Sequence, residues 1–177
     1  MRVICAQQIT ETVKRLCIEA NCHLPQDMKA CIERSYDGEP WPQAKEILSR
    51  IIENYQIAER ENRPICQDTG LVTVYAHVGQ EIHFEGGLLN DAIQQGVARG
   101  YTENYLRASV VKDPPYQRVN TKDNTPAVIY TDLVEGDQLV LELTAKGFGS
   151  ENMSRLKMLK RENSCRHEYS DLRTSHY

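Results

Sequence analysis

The sequence is short of aromatic bulk, of paired cysteines and of long apolar runs, and each shortage excludes something. Phenylalanine occurs only at Phe84 and Phe148, and all aromatics together make up 7% of the 177 residues. A core therefore has to be built mostly from Ile, Leu, Val and Ala. No apolar stretch approaches the ~20 residues that a membrane-spanning helix needs, so no membrane role is expected. The six cysteines stand at 5, 17, 22, 31, 66 and 165, with no CxxC pair among them. That spacing argues against a zinc site or a dithiol redox centre. Residues 1–10 hold one arginine and no apolar block, unlike a secretory leader, and the expectation is reduced thiols in a cytoplasmic protein. Nor is there an excess of positive charge: 21 Lys and Arg face 25 Asp and Glu, for a net charge of −4. A strongly basic nucleic-acid-binding domain is thereby excluded.

What remains is the composition of an ordinary globular chain, with 40% hydrophobic and 26% charged residues, long enough for one domain. Its first sixty residues carry helical periodicity. Ile9, Val13, Leu16, Cys17 and Ala20 share one face. Pro25 opens a second helix with Met28, Cys31, Ile32 and Tyr36 on one side, and Asp37 to Pro40 is a turn. Pro42 opens a third, with Ile47, Leu48, Ile51, Ile52, Tyr55 and Ala58, which Asn62-Arg63-Pro64 ends. The period then changes. Residues 71–78 are rich in β-branched side chains and read as a strand, and residues 82–84 as a shorter one. Gly86-Gly87 precedes a fourth helix over about 88–105, with Leu89, Ala92, Ile93, Val97 and Tyr101 inward. Pro114 to Asn124 is a polar loop. Residues 127–130 and 139–143 read as strands, with a hairpin turn at Glu135-Gly136-Asp137. Helices first, then strands mixed with one long helix, predict an α+β fold with a mixed sheet.

Two segments look chemical. In Arg63-Pro64-Ile65-Cys66-Gln67-Asp68-Thr69-Gly70, a proline and a glycine bracket side chains able to ligate or hydrogen-bond, between a helix end and a strand. The Cys66 thiol can be a metal ligand, a nucleophile or a plain loop cysteine. A nucleophile would want a histidine, for which His77 and His83 are candidates, although lone histidines are more often structural or surface residues. The second segment, Lys146-Gly147-Phe148-Gly149-Ser150-Glu151-Asn152, follows a strand directly. Its glycines let backbone approach a ligand, or serve only as a flexible strand exit. Arg107, after the fourth helix, can grip a carboxylate in a two-pronged contact, or be a solvated helix-end cation.

Pro64 to Gly70, Tyr101-Thr102-Glu103-Asn104-Tyr105-Leu106-Arg107-Ala108-Ser109, and the Gly-x-Gly-Ser-Glu-Asn-x-Ser run from Gly147 together resemble the class I, iron–sulfur-dependent fumarate hydratase family. The match is to its N-terminal catalytic domain, the α subunit of two-subunit members, and runs from about residue 5 to Lys160. The resemblance implies a [4Fe–4S] cluster held by three cysteines, of which this chain offers one, Cys66. It implies that Gln67, Asp68, Arg107 and Gly149 contact a small dicarboxylate substrate, with Asp68 catalytic through orienting a proton-transfer partner. The implied reaction is reversible hydration of fumarate to L-malate. A β subunit or C-terminal domain is implied as partner, in an oligomeric assembly. The α subunit of L-tartrate dehydratase shares these motifs.

Residues 161–177 hold six charged residues and, apart from Leu172, almost no aliphatic ones. They read as an unpatterned, disordered tail, as though the family domain were cut short after about Lys160. Two further readings stand beside the hydro-lyase: a non-catalytic domain that binds a β-type partner, and a thiol redox or zinc protein.

Overall fold

Along residues 71–79 side chains alternate between buried and partly open, which is the period of a strand with one face on a core. This strand is the centre of the architecture. The structure, a computed structural model, describes residues 1–149. Its elements in chain order are β1 (Arg2–Cys5), α1 (Ala6–Cys22), α2 (Gln26–Gly38), α3 (Pro42–Glu61), β2 (Leu71–Gly79), β3 (Ile82–Glu85), α4 (Leu89–Glu103), β4 (Val111–Lys112), β5 (Val119–Asn120), β6 (Val128–Val134) and β7 (Leu139–Lys146). The α+β expectation with a mixed sheet holds. β2 lies between β6, which runs parallel to it, and β7, which runs antiparallel.

Val72 and Val74 of β2 share a core with Ile9, Val13 and Cys17 of α1 and Ala92, Ile93, Val97 and Tyr101 of α4. The inward residues read from the α4 periodicity are the buried ones. Full burial of each Val or Ile contributes about 1.5–3 kcal/mol, so this α1–α4–β2 layer carries most of the stability. The two helices approach closely because α4 presents glycines to α1. A Cβ on Gly96 would lie 2.6 Å from the Val13 Cβ and 2.7 Å from the Thr10 carbonyl oxygen. The Thr10 hydroxyl donates across the contact to the Ala92 carbonyl at 3.1 Å. At the rim, Arg99 bridges Glu11 and Glu103, and Lys14 also reaches Glu103.

Several expectations are corrected. Residues 2–5 form a strand, paired in parallel with β3, in a segment too short to show a period. Residues 135–137 are not a hairpin turn between paired strands: β6 and β7 lie on opposite sides of β2. The turn instead packs on the β2–β3 corner, where the Glu81 N–H donates to the Gly136 carbonyl at 3.0 Å. The polar loop contains a short strand, β5, that pairs antiparallel with β4 just before the loop. Cys31, on the apolar side expected for the second helix, is exposed. The apolar stripe of α3 is real but only Tyr55 and Ala58 are buried; Ile47 is 61% exposed. α3 ends where expected, at Asn62 in the left-handed region, with the Arg63 N–H returning to the Ala58 carbonyl. Among the described residues no helix is long and apolar enough to cross a membrane. The tail and Cys165 lie outside the described residues.

Gly96→Ala should lower stability by about 1–3 kcal/mol in urea unfolding, because overpacking against backbone outweighs the ~1 kcal/mol gain in helix propensity. Gly38→Ala, with nothing within 4 Å of an added Cβ, should cost nothing.

Candidate functional site

The segment between α3 and β2 is pinned before it reaches its chemical residues. The Ile65 N–H donates to the Asn21 carbonyl at the end of α1, and the Ile65 carbonyl accepts from Asn54 Nδ2 of α3, both at 2.9 Å. Cys66 follows directly and is exposed. Its Sγ accepts from the Asp68 N–H at 3.5 Å and lies 3.5 Å from Gln67 Oε1. Sulfur hydrogen bonds of this length are weak, so the thiol is held without being withdrawn from solvent.

Asp68 joins the loop to the glycine-rich segment. Its Oδ1 accepts from the Gly70 N–H at 3.1 Å and its Oδ2 from the Phe148 N–H at 2.8 Å. Bonds from backbone N–H to a carboxylate are stronger than neutral ones. The approach demands glycine at two places. Gly70 sits at φ 69°, and a Cβ there would fall 2.2 Å from the Lys146 carbonyl oxygen. A Cβ on Gly147 would lie 3.2 Å from Asp68 Oδ2. Gly70 and Gly147, one from each motif, thus serve the crossing of the loop over the end of β7.

The third motif is brought in by Thr69 and Tyr101. The buried Thr69 donates from Oγ1 to the Arg107 carbonyl at 2.9 Å, and its own carbonyl accepts from the Tyr101 hydroxyl at 2.5 Å. Burial pushes the Tyr101 hydroxyl up to about 12, so it stays a donor across the working range of pH. Cys66, Gln67, Thr69, Tyr105 and Arg107 then line an open cleft of about 360 Å³. Asp68 and Gly149 are not in its lining. Asp68 faces the glycine segment, and Gly149 is exposed with open space around it. A larger cleft of about 550 Å³ lies between β1, α1 and β7 and contains none of the three motifs.

Neither histidine joins the thiol. His77 is on β2 beside Asp132 at 3.7 Å, His83 is on β3, and neither lines the Cys66 cleft. The other described thiols are also elsewhere: Cys17 and Cys22 are buried, and burial pushes Cys17 up to about 12. Among the described residues no group of three or more His, Cys, Asp or Glu is placed to hold a metal ion. Beside Arg107, the Ser109 Oγ is buried without a partner among the described residues.

Asn124 was not singled out by sequence, and Thr69, Tyr101 and Tyr105 stood within the quoted motifs without a role in the site. Asn124 is fully buried yet falls at the end of a run that reads as a solvated loop. Thr69 left a signal as a hydrogen-bonding side chain of the Cys66 motif, and Tyr101 left one as an inward position on α4, which pointed to packing.

Tyr101→Phe should cost about 1–3 kcal/mol at neutral pH by leaving the buried Thr69 carbonyl unpaired. Because its folded pKa lies above the unfolded value of 10, the wild-type contribution is complete below pH 10 and is lost as the pH rises through 12. Urea unfolding at stepped pH should therefore show a shallower loss between pH 10 and 12 in Tyr101→Phe than in wild type.

With this geometry in place, similarity to known proteins becomes specific. Residues 10–169 match the family model described as fumarate hydratase (Fumerase). A protein of Methanocaldococcus jannaschii, provisionally named L(+)-tartrate dehydratase subunit alpha, is 38% identical over 159 residues, covering 86% of this chain and 55% of its own. The anaerobic class I fumarate hydratase of Escherichia coli K12 is 34% identical over 122 residues, 68% of this chain and 22% of its own. An L(+)-tartrate dehydratase subunit alpha of Escherichia coli UTI89 is 28% identical over 86% of this chain and half of its own. The chain spans about half the length of the α-subunit relatives it matches. On the extent of the family match, the chain belongs to the fumarate hydratase (Fumerase) family.

Proposed function

We propose that this chain is the N-terminal part of a hydro-lyase α subunit that reversibly adds water to a four-carbon dicarboxylate, fumarate giving L-malate. The observation that carries the reading is that two separate motifs line one cleft and the third is tied to it from outside. The Cys66 loop and Arg107 line it, and Asp68 ties that loop to the glycine segment. A guanidinium beside a thiol suits a dicarboxylate, because its planar fork pairs with a carboxylate. Arg107 takes one carboxylate, and Gln67 offers an amide to the substrate's polar groups. A carboxylate has about four acceptor positions. Asp68 uses two on backbone N–H groups, which leaves the others to orient a proton-transfer partner.

The family resemblance makes a [4Fe–4S] cluster the expected cofactor, with Cys66 as one ligand. Such clusters are held by several thiolates. The described residues give the cleft one, so by themselves they do not fit the group, and the other ligands have to come from outside them. The α-subunit names of the relatives support a β-subunit partner in an oligomeric assembly; a cytoplasmic place is proposed from the unpaired cysteines of the sequence. A second reading, dehydration of L(+)-tartrate, is favoured by the tartrate dehydratase α subunits aligning over 86% of the chain against 68% for the fumarate hydratase.

The chain co-expressed anaerobically with a β-type subunit should hydrate fumarate or dehydrate L(+)-tartrate, and the preferred substrate separates the two readings. About four irons per chain should accompany the activity. Arg107→Lys should lower kcat/KM ten- to hundredfold, since a charged hydrogen bond contributes about 1.5–3 kcal/mol. No turnover of either substrate, with no bound iron, would overturn the proposal.

A further inference from the structure

The two walls of the Cys66 cleft come from segments almost forty residues apart in sequence, and two buried polar side chains join them. Asn124 is fully buried in a left-handed backbone conformation at φ 62°. Its Nδ2 donates to the Gly70 carbonyl at 2.9 Å. Its Oδ1 accepts from the Ser109 N–H at 2.8 Å and the Val110 N–H at 3.1 Å. One amide therefore spans from the end of the Cys66 loop to the segment that follows Arg107. Thr69 makes the same connection one residue earlier, through its Oγ1 on the Arg107 carbonyl. The segment is also lined by the strap that carries Asn124: Asn120 Nδ2 donates to the Ala108 carbonyl at 2.9 Å, and the Thr121 N–H to the Val110 carbonyl at 3.1 Å. These hydrogen bonds are directional, so they fix the alignment of the two segments as well as their separation.

We infer that Thr69 and Asn124 are positioning residues that hold the Arg107 segment in register with the Cys66 loop, so that the Arg107 guanidinium and the Gln67 amide address the same dicarboxylate. The inference rests on the reading of this cleft as a dicarboxylate site. Neither residue touches substrate in this role; both act through the backbone of Gly70, Arg107, Ser109 and Val110.

The test is made on the full chain with three variants. Thr69→Val removes one wall-to-wall bond and keeps the side-chain shape. Thr69→Ser restores the hydroxyl. Asn124→Leu removes the amide. Backbone amide exchange reports the register of residues 107–110. Peptide-mapped alkylation of Cys66 in the iron-free chain, where the thiol is free and exposed, titrated with L-malate and L(+)-tartrate, reports whether a dicarboxylate in the cleft covers the thiol. Neither readout needs turnover.

Loss of one neutral hydrogen bond at about 1 kcal/mol corresponds to roughly a fivefold change. In Thr69→Val, exchange across residues 107–110 should rise about fivefold, and the dicarboxylate concentration that halves Cys66 alkylation should rise by a similar factor. Thr69→Ser should return both values to wild type, and exchange within α1 and α4 should not move. Asn124→Leu should go further in the same direction; if it does not fold, the Thr69 pair decides. Shielding unchanged in Thr69→Val, whether or not exchange rises, would overturn the inference while leaving the site reading intact. If neither dicarboxylate shields wild-type Cys66, the reading of the cleft falls and the inference with it.

Discussion

The passage of Gly70 over the end of β7 is the constraint on which the site depends. The backbone there comes so near to the Lys146 carbonyl that no side chain can be accommodated. This closeness places Asp68 within reach of the Phe148 N–H. Were the loop an ångström or two farther out, the carboxylate would lose its second amide, and the glycine-rich segment would have no tie to the Cys66 loop. Rigid scaffold elements present the functional loops, as is usual: α1 and α3 fix Ile65, β2 fixes the exit of the loop, and α4 delivers Tyr101 and Arg107.

Local pattern in the sequence carried the helices and the central strand well, because a single period governs each. The inward residues of α4 and the stop at Asn62 follow from amphipathic spacing and from the proline at 64. The hairpin reading failed for a definable reason. Turn chemistry at 135–137 says that the chain reverses, but it says nothing about whether another strand slips between the two arms. β2 does so, pairing Val74 with Ile129 on one side and Leu143 on the other. β1 was missed because four residues are too few to display alternation.

The candidate site was legible only in part, as residue types in three places. Cys66, Gln67 and Arg107 do line one cleft, whereas Asp68 and Gly149 lie beside it. The bonds that assemble it, from Asn124 to Gly70 and from Thr69 to Arg107, join residues distant in sequence and leave no periodic trace. Asn124 reads as a solvated loop residue until its burial is seen. The periodicity of α3 misled in the other direction. Its stripe at Ile47 and Ile51 stays largely uncovered, as do the stacked rings of Tyr75 and Tyr130 on the far face of the sheet. The described residues carry more apolar pattern than they bury among themselves.

The pairing of β2 with two strands that come much later in the chain also has a temporal side. During synthesis, β2 leaves the ribosome with both edges unpaired, and its partners follow only after α4 and the long loop. At about 5–20 residues per second this interval lasts several seconds. An aliphatic strand with two open edges is a template for wrong pairing. In that interval α1, already made, is the element able to cover its apolar face, so the order of elements along the chain gives the nascent protein a measure of shelter before its sheet can close.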